Sequence, residues 1–162
     1  MRVFIENEAG SHTKHLHDEK TLELRGSRRV ARPYPFPYGF VLNTQAEDGD
    51  NVDCFVLTLR PLKRGQLVEC EPVALMEQME DNQQDHNVLA VMPGEHAGVT
   101  PEVQQRLREF VSHVFEDIPG KKISVGRFLG RKAAEEYVRT HSPSDAAPAP
   151  ASAVEPRNRD RH

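Results

Sequence analysis

The sequence predicts an α+β domain in which short strands come first and two helices close the ordered part of the chain. Three observations carry this expectation. Apolar runs of strand length at 3–6, 22–25, 39–43, 54–59, 66–76 and 88–92 are separated by turn-forming residues. The hydrophobic period then changes, with Val103, Leu107, Phe110, Val111, Val114 and Phe115 recurring at three- and four-residue steps. Strands followed by helices, rather than alternating with them, indicate α+β and not a parallel α/β sheet.

The first run, Val3-Phe4-Ile5-Glu6, opens the strand region. Gly26, the Pro33–Pro37 stretch, Asp48-Gly49-Asp50-Asn51 and Arg64-Gly65 divide the runs that follow, and that spacing suits a small barrel or sandwich. Pro61 and Pro72 flank apolar runs and mark strand ends, because proline cannot donate to a sheet ladder. Thr100 is placed to cap a helix whose first turn holds Pro101, and the helix is expected to run to Pro119-Gly120. A short strand, Ile123-Ser124-Val125, precedes a second helix carrying Ala133, Ala134, Tyr137 and Val138. From Ser142 the chain is rich in Pro, Ala and Ser without an apolar face. The reading is one domain over 1–141 and a disordered Pro/Ala-rich tail over 142–162.

At 162 residues the chain has the length of one domain able to bury a core unaided. A formal charge of −4 and a pI near 6.1 oppose a nucleic-acid role, which calls for a basic stripe. No apolar run approaches the ~20 residues of a membrane helix, and nothing at the N-terminus has the pattern of a signal peptide. Cys54 and Cys70 lie in apolar segments and read as buried cytoplasmic thiols rather than a disulfide framework.

The most informative stretch is Glu47-Asp48-Gly49-Asp50-Asn51-Val52-Asp53, which runs directly into the apolar Cys54-Phe55-Val56-Leu57. If Asp48, Asp50 and Asp53 converge, their repulsion is severe: two charges ~4 Å apart at an effective dielectric of 20 oppose each other by about 4 kcal/mol. A divalent cation removes that penalty, and oxygen ligands alone select Mg²⁺, Ca²⁺ or Mn²⁺ over zinc. A solvated acidic turn is the plain alternative. An EF-hand fails, because Asp53 falls on the glycine position and Leu59 on the bidentate glutamate position. A second acidic group, Glu77, Glu80, Asp81 and Asp85, reads as a long polar hairpin loop between 73–76 and 88–91.

Taken together, these segments resemble the family I soluble inorganic pyrophosphatases. The aspartate run Asp48-Gly49-Asp50-Asn51-Val52-Asp53 matches that family's Asp-x-Asp-x-x-Asp signature. Tyr34-Pro35-Phe36-Pro37-Tyr38-Gly39-Phe40-Val41 is similar to its Tyr-Pro-x-Asn-Tyr-Gly-Phe-Ile element. Val3–Glu6 with Lys14, Pro72-Val73-Ala74-Leu75, and Asp85-His86-Asn87-Val88-Leu89-Ala90-Val91 follow in the family's order. The resemblance implies a five-stranded OB-like β-barrel with two C-terminal helices at its side. It implies a Mg²⁺-dependent cytoplasmic enzyme, with Mn²⁺ as a substitute, that forms a homo-oligomer (a hexamer in bacteria) and hydrolyses pyrophosphate. Carried over position by position, Asp48, Asp53, Asp85 and Glu80, or its neighbour Asp81, would bind metal. Asp50 would be the general base, Tyr38 would join the catalytic set, Lys14, Tyr38 and Arg25 would contact phosphate, and Glu6 would support them from behind.

Several family positions differ. The glutamate two residues after Lys14 is Leu16, and the lysine two after Asp85 is Asn87. The family's Tyr-Lys pair aligns near Ile118-Pro119, and its arginine near Arg25-Gly26, with Arg28 and Arg29 as further candidates. Lys121 or Lys122 is a candidate replacement for the missing lysine. These losses leave two alternatives beside pyrophosphate: a different small phosphorylated metabolite, or a binding protein that keeps the fold without the catalysis. His12, His15 and His17 with Asp18 lack a further zinc-ligand motif and read as a surface strand. The Pro33–Pro37 stretch reads as a rigid wall of the active site rather than a ligand for an SH3-like domain. Single-stranded nucleic acid on an OB-like barrel is disfavoured by the acidic balance and by only 6% aromatic residues.

Overall fold

The computed structural model describes residues 1–143. The expected tail lies outside the described residues, apart from its first two positions. Ten strands and two helices follow in the order β1 (Arg2–Asn7), β2 (Thr13–His17), β3 (Leu24–Arg29), β4 (Tyr38–Val41), β5 (Asp53–Val56), β6 (Leu67–Glu69), β7 (Glu71–Glu80), β8 (Gln83–Gln84), β9 (Asn87–Val91), α1 (Pro101–His113), β10 (Ile123–Leu129) and α2 (Arg131–Thr140). The main sheet runs β10-β7-β9-β5-β4-β1-β6, with β8 beside β7, while β2 and β3 form a separate hairpin. The five strands β7-β9-β5-β4-β1 make the centre of the OB-like arrangement expected from the family resemblance, and β10 and β6 extend it at either end.

Period-two alternation divides the core into two layers. Tyr38, Phe55, Ala74, Met76, Leu89 and Val91 face α1, which inserts Leu107, Phe110 and Val111 between them. Val41, Cys54, Val56, Leu75, Val88 and Ala90 face the other way and pack with Ala134 and Tyr137 of α2. β5 and β9, the sheet's parallel pair, are therefore apolar at nearly every position, as strands covered on both faces must be. Gly39 fits the sheet only as glycine, because a Cβ there would lie 1.7 Å from the Phe4 carbonyl oxygen.

The α1 cap is as expected: the Val103 N–H donates to Thr100 Oγ1 at 3.2 Å. Four details differ from the sequence reading. The helix ends at His113, and the apolar rhythm continues through Val114 and Phe115 in turns rather than in the helix. The 66–76 run is two strands broken at Cys70, and Pro72 lies inside β7, where a register shift between Pro72 and Ala74 takes up the missing donor. The expected polar loop between 77 and 85 is instead a continuation of β7 to Glu80 and a two-residue turn. Asp81 and Asn82 there have φ of 49° and 67°, the geometry that matches the twist of a tight hairpin. His17 is not on a surface strand: it is 4% exposed, because β2 folds it against Phe4, their rings 4.9 Å apart.

Candidate active site

One face of the sheet changes character along its strands. On the α1 side the sequence of side chains runs from Phe55 to Asp53 on β5, from Leu89 to Asn87 on β9 and on to Asp85 just before that strand, and from Met76 to Gln78 and Glu80 on β7. Because β5 and β9 are parallel while β7 is antiparallel to β9, the three polar ends coincide. The register pairs Asp53 with Asn87 and Met76 with Asn87. Side chains two residues apart on a strand share a face, so the topology itself gathers Asp53, Asp85, Gln78 and Glu80 at one edge of the core. Asp53 and Asp85 are 1% and 2% exposed.

Asp85 is held by amides. Gln78 Nε2 donates to Asp85 Oδ2 at 3.3 Å, and Asn87 Nδ2 donates to Gln78 Oε1 at 2.8 Å. Asn87 Nδ2 also reaches the Asp85 carbonyl at 3.3 Å. The position where the family resemblance expects lysine thus carries a neutral donor, coupled to a buried glutamine that the sequence reading did not single out.

The aspartate run forms a tight turn. The Asp50 N–H donates to Asp48 Oδ1 at 3.0 Å, and the Ala46 N–H to the Asp50 carbonyl at 2.7 Å. Gly49, with φ of 85°, supplies the left-handed step. Asp48 is half-buried and Asp50 buried. From the tip of the β2–β3 hairpin, Glu19 Oε1 accepts the Asn51 N–H at 2.9 Å. Beside this turn, Glu47 binds the Tyr137 hydroxyl at 3.2 Å and His141 Nε2 at 2.8 Å. Burial alone would raise the Glu47 carboxyl, but its hydrogen bonds from His141, its own backbone and Tyr137 outweigh that and hold it low.

Cations gather around one aromatic ring. Lys14 Nζ, the Arg28 guanidinium and Lys121 Nζ lie 5.4, 4.9 and 4.9 Å from the centre of Phe115. Lys14 and Arg28 are cross-strand partners on β2 and β3, and Lys121 Nζ is 2.7 Å from Glu80 Oε1, which ties the cations to the carboxylate edge. Arg25 is elsewhere, exposed and paired with Asp18 at 3.0 Å; Arg29 is exposed too. Of the two candidate lysines the structure brings in Lys121, while Lys122 is exposed, with its N–H bound to Asp81 Oδ1 at 3.0 Å. Phe115, not Ile118-Pro119, is the residue standing among the cations.

Two further placements complete the site. Glu6, fully buried, accepts from the His17 N–H at 3.0 Å and meets its Nδ1 at 3.3 Å. Arg64 Nη1 lies 3.2 Å from His17 Nε2. A guanidinium only donates, so Nε2 accepts and Nδ1 carries the proton given to Glu6. Tyr38 is fully buried, its ring 5.5 Å from Tyr34 and 4.9 Å from Phe55, so its ring belongs to the apolar layer packed against α1. Cys54 and Cys70 are free and buried; burial pushes the Cys70 thiol up to about 12 and Cys54 upward as well, which leaves both unreactive. The open apolar groove beside Phe36, Leu57 and Val103 has none of the site residues in its lining.

The donor set suits a hard cation. Asp48, Asp50, Asp53, Asp85 and Glu80 offer carboxylate oxygen only, and Glu80 Oε2 is buried without a hydrogen-bond partner. Among the described residues no group of three or more His, Cys, Asp or Glu side chains is already closed around a point. Glu80 turns instead to the Lys121 ammonium, which offsets charge at this edge.

Comparison with known proteins places the chain in one family. The family model for inorganic pyrophosphatase matches residues 3–143. An inorganic pyrophosphatase from Aquifex pyrophilus is 32% identical over 150 residues, covering 85% of this chain and 84% of its own. One from Streptomyces coelicolor is 33% identical over 146 residues, covering 84% and 90%. The crystal structure of inorganic pyrophosphatase from Thermus thermophilus superposes with a TM-score of 0.78 at 32% identity, covering 87% of this chain and 88% of that one. With its aspartate turn and sheet edge in that setting, the chain belongs to the inorganic pyrophosphatase family.

Proposed function

We propose that the protein hydrolyses inorganic pyrophosphate to two orthophosphates and depends on Mg²⁺ to do so. The observation that carries this reading is the meeting of two opposite charge clusters: Lys14, Arg28 and Lys121 around Phe115, and the carboxylate edge reached through the 2.7 Å Lys121–Glu80 contact. A polyanionic substrate needs the first cluster, and the cations that accompany it need the second.

In this reading Asp48, Asp53, Asp85 and Glu80 hold Mg²⁺, which when bound acidifies a coordinated water and neutralises the leaving phosphate. Asp50 accepts the proton of the attacking water at a carboxylate oxygen. Lys14, Arg28 and Lys121 orient the two phosphoryl groups by charge-assisted hydrogen bonds, with Arg28 in the place first given to Arg25. Lys121 supplies the charge that Asn87 lacks. Glu6 and Tyr38 act from behind, Glu6 through His17 and Tyr38 as a rigid wall. The same family reading makes the protein a cytoplasmic homo-oligomer, by the family's habit a hexamer. Among the described residues no helix is long and apolar enough to cross a membrane.

Orthophosphate release from pyrophosphate, measured with Mg²⁺ on the wild type, Asp53→Asn and Lys121→Gln, tests the proposal. Asp53→Asn is expected to abolish release. Lys121→Gln is expected to weaken substrate capture by roughly tenfold, the equivalent of one charged hydrogen bond. Wild-type release no faster than Asp53→Asn at high enzyme, with Mn²⁺ also tried, would remove pyrophosphate as the substrate. A panel of phosphorylated metabolites would then be assayed in its place.

A further inference from the structure

We propose that Glu19 is a positioning residue for Asp50, acting through the peptide that joins Asp50 to Asn51. The inference rests on the reading of Asp50 as the base and adds to it a residue that the aspartate signature does not contain. Backbone groups on both sides of Asp50 are tied. The Asp50 N–H goes to Asp48 Oδ1 at 3.0 Å, the Asp50 carbonyl accepts from the Ala46 N–H at 2.7 Å, and the Val52 N–H goes to Thr44 Oγ1 at 2.9 Å. Those partners all belong to the 44–52 segment. The Asn51 N–H alone among these four reaches out of it, to Glu19 Oε1 at 2.9 Å across 32 residues of sequence.

The hairpin tip that presents Glu19 is itself rigid. Asp18 Oδ1 accepts the N–H groups of Lys20 and Thr21 at 2.9 and 2.8 Å, and Asp18 Oδ2 accepts from Arg25 at 3.0 Å. The Leu22 N–H returns to the Asp18 carbonyl at 2.7 Å, with Leu22 at φ of 63°. The backbone hydrogen bond from Thr21 first, and then the side-chain hydrogen bond from Arg25, keep the Asp18 carboxyl far below its usual range, so this brace persists at any physiological pH. Arg25, expected in the sequence to grip phosphate, thereby serves the hairpin. The geometry also answers the loss at Leu16. A carboxylate missing from the body of β2 is carried three residues further on, at the tip, and is directed at the aspartate turn.

A carboxylate accepting a backbone N–H makes a charge-assisted bond. Without it the 50–51 peptide is free to rotate, and a displacement of a reacting group by about 1 Å costs up to ~10²-fold in rate. Glu19→Ala and Glu19→Gln, made in the full chain, separate the hydrogen bond from the charge. Glu19→Ala is expected to lower kcat for pyrophosphate by roughly 10- to 100-fold with KM within about twofold. Glu19→Gln retains an acceptor at Oε1 and is expected to keep kcat within about threefold. Amide hydrogen exchange followed by mass spectrometry is expected to show faster exchange over 46–53 in Glu19→Ala, not in Glu19→Gln, with β9 unchanged in both. Unaltered kcat in Glu19→Ala overturns the proposal, as does an equal fall in both variants, which would assign the effect to charge. Should the wild type hydrolyse nothing, the functional reading fails by itself. The exchange comparison still decides the latch, with lost protection over 46–53 supporting it and unchanged protection overturning it.

Discussion

Replacing Asn87 by alanine tests whether a neutral amide pair has taken over the support of Asp85. Asn87 and Gln78 are fully buried and Asp85 is 2% exposed, so water cannot substitute for what is removed. The variant loses the 2.8 Å bond to Gln78 Oε1 and the 3.3 Å bond to the Asp85 carbonyl. At about 1 kcal/mol for each of the two buried neutral hydrogen bonds, plus a further 1–3 kcal/mol for an acceptor whose donor is gone, the loss is roughly 3–5 kcal/mol. Such a loss is a large part of the ~5–15 kcal/mol that holds a domain together. In urea, at a slope of about 2 kcal/mol per M, it moves the midpoint down by about 1.5–2.5 M. The measurement is made with chelator present, so that no cation contributes to stability. Gln78→Ala should lose a similar amount, and the double variant should fall short of the sum by at least about 1 kcal/mol, because the two side chains share one bond. Strict additivity, or an Asn87→Ala midpoint within about 0.2 M of wild type, would show that the pair does not support Asp85.

Two further outcomes are expected. Gly39→Ala would place a Cβ 1.7 Å from the Phe4 carbonyl oxygen and 2.8 Å from its carbon, so β1 and β4 must separate. A loss above about 4 kcal/mol and a fall in melting temperature on the order of 10 °C are expected by calorimetry, and a shift under ~2 °C would refute the clash. Arg127 binds Glu77 at 2.7 and 3.1 Å and holds its carboxyl down at about 2. A carboxyl depressed in the folded state stabilises above its unfolded pKa, and that contribution is lost as pH falls toward about 2. Arg127 is 76% exposed, so solvent screening keeps the effect small. Arg127→Met should therefore be slightly less stable at pH 7, the gap closing on acidification and in high salt, whereas a gap that is constant from pH 7 to 3 would contradict the assignment.

Much of the fold was written in local periodicity, and the departures have physical causes. β1, β4, β5 and β9 were visible because alternation and apolar runs follow directly from burial on one or both faces. The continuation of β7 to Glu80 was hidden, since Glu77, Gln78, Glu80 and Asp81 look like a solvated loop until the site that uses them is known. The left-handed Asp81-Asn82 pair was the available signal, because residues of that type tolerate positive φ and favour two-residue hairpins. The aspartate turn was legible from spacing alone. Lys121, Arg28 and Glu19 were not fixed by spacing, because each acts across a long sequence distance: Lys121 joins Glu80 and Glu19 joins Asn51. His17 was misjudged from its neighbours, for histidine on a polar strand gives no sign that a buried glutamate is waiting on another.

The parallel pairing of β5 with β9 fixes when the two charge clusters can come together. Asp53 meets Asn87 only after the intervening chain has made β6, β7 and β8 and returned, and closing so long a loop is a slow, entropically opposed step. Lys121, nearer the C-terminus, arrives later still. A chain emerging from the ribosome with its aspartate turn complete therefore has neither Asp85 nor the third cation in place. On the proposed reading of the site, the carboxylates and all three cations are together only once Lys121 has been synthesised, so a product truncated before it lacks the contact that joins the two clusters.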